Sequence, residues 1–152
     1  MTTRQTLRDW GFAPEQRPPA TVPEVPRDIT ELNDQQLMSL FSAYTAWTAY
    51  AAHRKAEAES ALRDAQQQLR YVTAVASVKA TGERTVAGRK AAAAADPEVR
   101  ELEHEVAETT DTVEALAVVH ENTRSKAQLV SRELSRRIAQ ENHENRAAKW
   151  GV

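Results

Sequence analysis

The chain has no cysteine, so disulfides, thiolate nucleophiles and Cys-based zinc sites are excluded. Aromatic residues make up only 5% of its 152 residues, and alanine supplies much of the 41% hydrophobic content. Alanine buries little area, so an Ala-rich seam stabilises less per residue than a Leu-rich one. There are four glycines and six prolines. They are clustered, which leaves long uninterrupted segments for helix. No apolar run approaches the ~18 residues of a membrane span, and the N-terminus has no apolar signal core. These absences lead us to expect a soluble cytoplasmic protein of all-α class, not secreted, with no membrane partner and no cofactor.

What is present is heptad spacing. From Val99 to Ile138 the positions 99, 102, 106, 109, 113, 116, 120, 123, 127, 130, 134 and 138 are mostly apolar, and the last could equally be 137. Their steps of three and four mark one face of an α-helix. No Gly or Pro falls between Glu98 and Trp150. A second seam runs through 37, 41, 44, 48, 51, 55, 58, 62, 65, 69, 72 and 76, with Thr48 and Lys55 as its weak steps. Asn33 or Asp34 caps this helix, and Asp96-Pro97-Glu98 restarts the chain into the other. We therefore expect an N-terminal arm over 1–33, a helix over 34–80, a basic connector over 81–96 and a helix over 97–148. Two helices of matched length joined by a short connector fold back as an antiparallel hairpin or coiled coil.

The arm holds Thr3 to Trp10, enough for two helical turns stopped by Gly11, and then five prolines between Pro14 and Pro26. That run reads as a semi-rigid extended linker, with a strap along the helices as the alternative. The first turns of the first helix are apolar on more than one face, through Leu37, Phe41, Tyr44, Trp47 and Tyr50. Such girth implies more than one packing partner, so these five residues are the candidate oligomer or partner interface. Thr109, His120 and Thr123 are polar steps on the Val99–Ile138 seam. Polar seam positions set register or oligomer state.

Charge is unevenly placed. Glu98 to Glu121 carries eight acids against Arg100, whereas Asn122 to Val152 carries seven bases against three acids. Acid early and base late suits the helix dipole. The connector holds Lys79, Arg84, Arg89 and Lys90 against Glu83, with Thr81 and Thr85 as further phosphate donors. A second basic segment presents Arg132 and Arg136 one turn apart and Arg137 on the neighbouring face. These seven cations are candidate nucleic-acid contacts. The alternatives are a solvated hairpin tip for the connector, and pairing with Glu133 or Glu141 for the second segment. Trp150 beside Lys149 is a candidate for stacking on a base. The four histidines are not spaced for a shared metal, and no nucleophile–base arrangement or phosphate-cradling glycine loop occurs. We expect no enzyme.

The layout resembles that of small helical proteins of tailed bacteriophages that infect actinobacteria. It rests on Val22-Pro23 to Pro26-Arg27-Asp28-Ile29, the aromatic opening Leu37, Phe41, Trp47 and Tyr50, the Asp96-Pro97-Glu98-Val99 restart, and Ser131 to Arg137. Among phage proteins of known role it is similar to the UvsY recombination mediators, in organisation over residues 34–138 with no motif matching position by position. That resemblance implies an oligomer that binds single-stranded DNA and helps to load a recombinase. It also implies basic residues around the turn between long helices, where Lys79, Arg84, Arg89 and Lys90 stand. The acidic half of the second helix speaks against a DNA-coating surface along its length. The other readings are a phage structural, assembly or adaptor coiled coil acting through protein contacts, and an inhibitor that occludes a host enzyme.

Overall fold

The computed structural model describes residues 5, 6, 9–11 and 15–151. The fold is all-α: three helices, α1 (Asp34–Lys79), α2 (Val86–Ala94) and α3 (Pro97–Trp150), with no strand among the described residues. At about 1.5 Å per residue α1 and α3 are roughly 70 and 80 Å long. Their interiors contain no Pro, and no Gly falls inside α1 or α3. Against the expected bounds of 34–80 and 97–148, α1 ends at Lys79 and α3 at Trp150, and the connector is not featureless. Ala91 to Ala94, strong helix formers, extend back through Arg89 and Lys90 to give the nine-residue α2.

Each helix start has its own chemistry. Asn33 is the cap of α1: its Oδ1 accepts from Gln36 N at 2.8 Å, and Gln36 Oε1 accepts from Asn33 N at 2.9 Å. This reciprocal pair satisfies two backbone donors that the helix itself cannot. Thr85 caps α2 by accepting from Gly88 N at 3.0 Å. Asp96 caps α3 by accepting from Glu98 N at 2.9 Å, with Pro97 in the first helical position. At the far end Gly151, at φ +65°, takes the left-handed turn that ends α3.

The chain divides into two compact units that cut across both long helices. Unit 1 combines residues up to His53 with Val118 onward, and unit 2 is Arg54–Ala117. In unit 2, Val72 and Ala76 near the end of α1 pack with Ala93 of α2 and Val99 at the start of α3, flanked by Leu69 and Leu102. In unit 1, Leu37 and Tyr44 near the start of α1 pack with Val130 of α3. Within unit 1, Asp34 of α1 meets Arg137 of α3 and Tyr44 meets Lys126, so the two segments run antiparallel there. All twelve positions of the α1 seam are buried or half-buried. Those of α3 are too, up to Leu134. Beyond it the seam passes through Arg137, and Ile138 is 60% exposed.

The arm differs from a bare linker. Val22, Ile29 and Leu32 pack against the Leu37–Tyr44–Val130 cluster, so residues 22–32 form the strap. A 3-10 turn at Ile29–Glu31 directs them, capped by Asp28, whose Oδ1 accepts from Thr30 N at 2.8 Å and Thr30 Oγ1 at 2.6 Å. Those bonds hold the Asp28 carboxyl below its ordinary value. Of the expected helix between Thr3 and Trp10, only part lies among the described residues: Gln5, Thr6 and Asp9 are helical. Trp10 N donates to Thr6 O, and Gly11 follows at φ +86°.

The polar seam steps do not reach across to a partner helix. Thr123, 2% exposed, donates its hydroxyl to Val119 O and His120 O of its own helix. Thr48 donates to Tyr44 O and Thr109 to Glu105 O in the same way. A hydroxyl satisfied one turn back fits a buried seam without demanding a polar partner, so these threonines cannot dictate register.

Candidate functional site

The basic connector lies in unit 2. Its path from α1 to α2 is a short turn: Thr81 N donates to Lys79 O, and Glu83 N to Ala80 O. Lys79, Arg84, Arg89 and Lys90 are all exposed, and none is ion-paired among the described residues. Their charge is therefore free for an external anion. Thr81 is exposed, whereas the Thr85 oxygen is already engaged as the cap of α2. The Glu83 carboxylate lies beside Gly88 and the Thr85 hydroxyl. It thus offsets part of the basic charge where the first turn of α2 presents its backbone N–H groups.

The second basic segment, in unit 1, is organised differently. Glu133 is 7% exposed and receives both guanidinium groups. Arg136 grips it in a fork, Nε to Oε2 and Nη2 to Oε1, each at 2.8 Å. Arg137 Nε donates to the same Oε1 at 2.9 Å, its Nη1 to Asp34 Oδ1 at 2.8 Å and its Nη2 to Thr30 O at 2.9 Å. These bonds, with those from Arg136 the stronger, hold the Glu133 carboxyl down to about 2 from an ordinary 4.5. The same bonds raise both arginines. Arg137 therefore ties the strap and the start of α1 to α3, and Arg136 fixes the carboxylate it shares. Pairing with Glu133, the alternative weighed from sequence, accounts for both. Arg132 is the one of the three that stays exposed with no ion pair among the described residues.

The five candidate interface residues separate in the same way. Leu37 and Tyr44 are 0% exposed and belong to the chain's own core. Their place on the α1 seam, facing Val130, leaves no surface for another chain. The Tyr44 hydroxyl is buried without a hydrogen-bond partner, and Lys126 Nζ stands 5.8 Å from its ring centroid. Burial pushes this phenol up. Trp47 and Tyr50, half-buried, form an edge-to-face pair with centroids 5.7 Å apart. Phe41 borders a groove of about 400 Å³ in unit 1, between Thr45, Thr48, Ala49 and Ala52 on α1 and His120, Arg124, Ala127, Gln128 and Ser131 on α3.

Sequence reasoning missed Glu133 as a hub. The signal was present: 130, 133 and 137 are also spaced by three and four, which puts an acid on the buried face with Arg at its third and fourth following positions. Trp150 is 76% exposed. Among the described residues no group of three or more His, Asp or Glu side chains is placed to hold a metal, and no helix is long and apolar enough to cross a membrane. Comparison with protein-family models, with curated proteins and with solved structures gave no match to this chain.

Proposed function

We propose that this is a non-enzymatic helical protein that self-associates and binds single-stranded DNA through the basic connector of each copy. The observation that carries the reading is the free, exposed charge of Lys79 at the end of α1, Arg84 in the turn after it, and Arg89 and Lys90 on α2. Phosphate neutralisation supplies most of the affinity of such contacts, and several weak tips on one oligomer add up. The acidic residues from Glu98 to Glu121 repel a strand along α3 and confine it to the connector. The layout shared with the UvsY mediators supports a role in phage recombination or replication, alongside a recombinase in the host cytoplasm.

The test is fluorescence anisotropy of a labelled oligothymidylate across a salt series, for the wild type and an Arg84→Ala/Arg89→Ala/Lys90→Ala variant. Each lost phosphate contact on a single strand removes about 0.7 from the slope of log K against log salt, so the variant should lose about 2. No binding by the wild type at ~50 mM salt, where counterion release is strongest, ends this reading. The second reading, an assembly or adaptor protein acting through protein contacts, is favoured by one observation. The unit 1 groove presents Phe41, Ala49, Ala52 and Ala127 to solvent with no segment of the described chain lying over it.

A further inference from the structure

We propose that Tyr71, on the outer face of α1, is a stacking platform for an unpaired base of the strand held at the basic connector. This rests on the function proposed above and deepens it, by naming the group that tells single-stranded from double-stranded DNA. Tyr71 is 67% exposed, and its side chain makes no hydrogen bond or ring contact among the described residues. It stands off the seam: Leu69, Val72 and Ala76 pack in the core of unit 2, and Tyr71 does not. The fold gives it nothing to bury against. Helix formation does not ask for it either, since an aromatic ring loses side-chain freedom on a helix where the preceding Gln66, Gln67 and Gln68 lose little. A ring kept in water at such a position is open to a ligand with a flat apolar face.

The surrounding charge selects the class of ligand. Residues 60–82 hold three cations, Arg63, Arg70 and Lys79, against one acid, Asp64. All three cations are exposed and without an ion pair among the described residues. Arg63 and Arg70 are seven positions apart and so share a side of α1, which Tyr71 borders. Lys79 lies eight residues beyond Tyr71, about 12 Å along the axis at ~1.5 Å per residue, and leads into Arg84 of the connector. All of these residues are in unit 2. On α3, by contrast, Glu98 to Ala117 carries seven acids against Arg100. A track of cations with an aromatic ring beside it is complementary to a polyanion whose bases can swing out, as in single-stranded DNA. The cations serve a duplex as well, but the ring does not, because paired bases keep their faces inside the stack. An acidic protein segment would use the cations alone.

The test is fluorescence anisotropy of a labelled oligothymidylate, and of a duplex of the same length, with variants of the full chain. Losing one base–aromatic stack corresponds to about tenfold weaker binding. Tyr71→Ala should therefore raise the single-strand dissociation constant by about that factor, with the salt slope and duplex binding unchanged. Tyr71→Phe keeps the ring and should bind as the wild type does. Arg63→Ala/Arg70→Ala should lower the salt slope by about 1.4, at ~0.7 per phosphate contact. Helicity by circular dichroism should be the same in each, since all three positions are exposed. Should Tyr71→Ala lose its helicity, the wild type decides: 5-iodouracil along the strand must photo-cross-link to the tryptic peptide Tyr71–Lys79, whose only aromatic residue is Tyr71. A strand that cross-links only elsewhere overturns the inference. So does a Tyr71→Ala chain that loses single-strand and duplex binding equally. Loss on the two arginines with none on Tyr71 overturns it too, and leaves the face to an acidic protein segment. A wild type that binds no DNA ends the function proposed above and this inference with it. Wild-type binding that Tyr71→Ala leaves intact sinks this inference alone.

Discussion

Leu37→Ala removes the side chain around which the arm, α1 and α3 meet. Leu37 is 0% exposed, and the cluster it shares with Tyr44 and Val130 draws Val22, Ile29 and Leu32 from the strap and Leu134 from α3. The substitution deletes three carbons, about 2.4 kcal/mol of transfer free energy at ~0.8 kcal/mol per methylene. The cavity left behind raises the cost of buried Leu→Ala changes to about 2–5 kcal/mol, depending on how far the neighbours collapse. The strap is held at one point by Arg137 and at another by its own packing, so it can move inward. We therefore expect a loss of about 3 kcal/mol, in the lower half of that range. Urea denaturation followed by far-UV circular dichroism, at one fixed protein concentration, reads it as a fall in midpoint with an unchanged slope. Val118→Ala, at a 60% exposed position on α3, should stay within about 0.5 kcal/mol of wild type. A loss below about 1 kcal/mol for Leu37→Ala, with the slope unchanged, would refute the assignment of this cluster as the core of unit 1.

Two further outcomes follow from single side chains. The folded Glu133 carboxyl titrates at about 2 against an ordinary 4.5, so its stabilising contribution is complete above 4.5 and disappears as pH falls toward 2. Glu133→Gln should melt lower than wild type at pH 7 and show a shallower loss of thermal midpoint across that acid window; equal midpoints and equal acid slopes would exclude the clamp. Gly88 is inside α2, and a β-carbon there meets the far end of the Glu83 side chain first and then the capping Thr85 hydroxyl. Gly88→Ala should therefore stabilise the protein by up to about 1 kcal/mol, through helix propensity, once the carboxylate swings aside. A destabilised variant in thermal melts would mean that Glu83 is fixed where it lies or that the Thr85 cap is displaced.

Much of the backbone was legible because both long helices obey one spacing rule over many turns. Leu37, Tyr44, Val72, Val99 and Val130 all fall on the seams read from the sequence and are buried. The extra helix α2 is harder to read, since Gly82 and Gly88 favour a loose connector while the alanine run favours helix. The strap was misjudged for a different reason. Proline density reports backbone stiffness, whereas Val22, Ile29 and Leu32 report what the segment can bury. Side-chain partnerships were least legible. That Arg136 and Arg137 share Glu133 follows from helical offsets, but Arg137's reach to Asp34 and Thr30 depends on which strand of chain the fold returns to its side. The same offsets could not separate core aromatics from half-buried ones: Tyr44 and Tyr50 lie six positions apart on an apolar stretch, and only the pairing with α3 distinguishes them.

The Arg137 contact also orders events during synthesis. It joins residues separated by 107 positions, from Arg137 on α3 back to Thr30 in the strap. When the ribosome has made the strap and the first turns of α1, their apolar side chains have no docking surface yet. Ala127, Val130 and Leu134, against which they close, are among the later residues to emerge. Unit 2, contiguous from Arg54 to Ala117, can assemble from its own residues before that. The nascent chain thus carries Leu37, Phe41 and Tyr44 without their α3 partners until Ala127, Val130 and Leu134 emerge, the interval in which a holdase chaperone would find them.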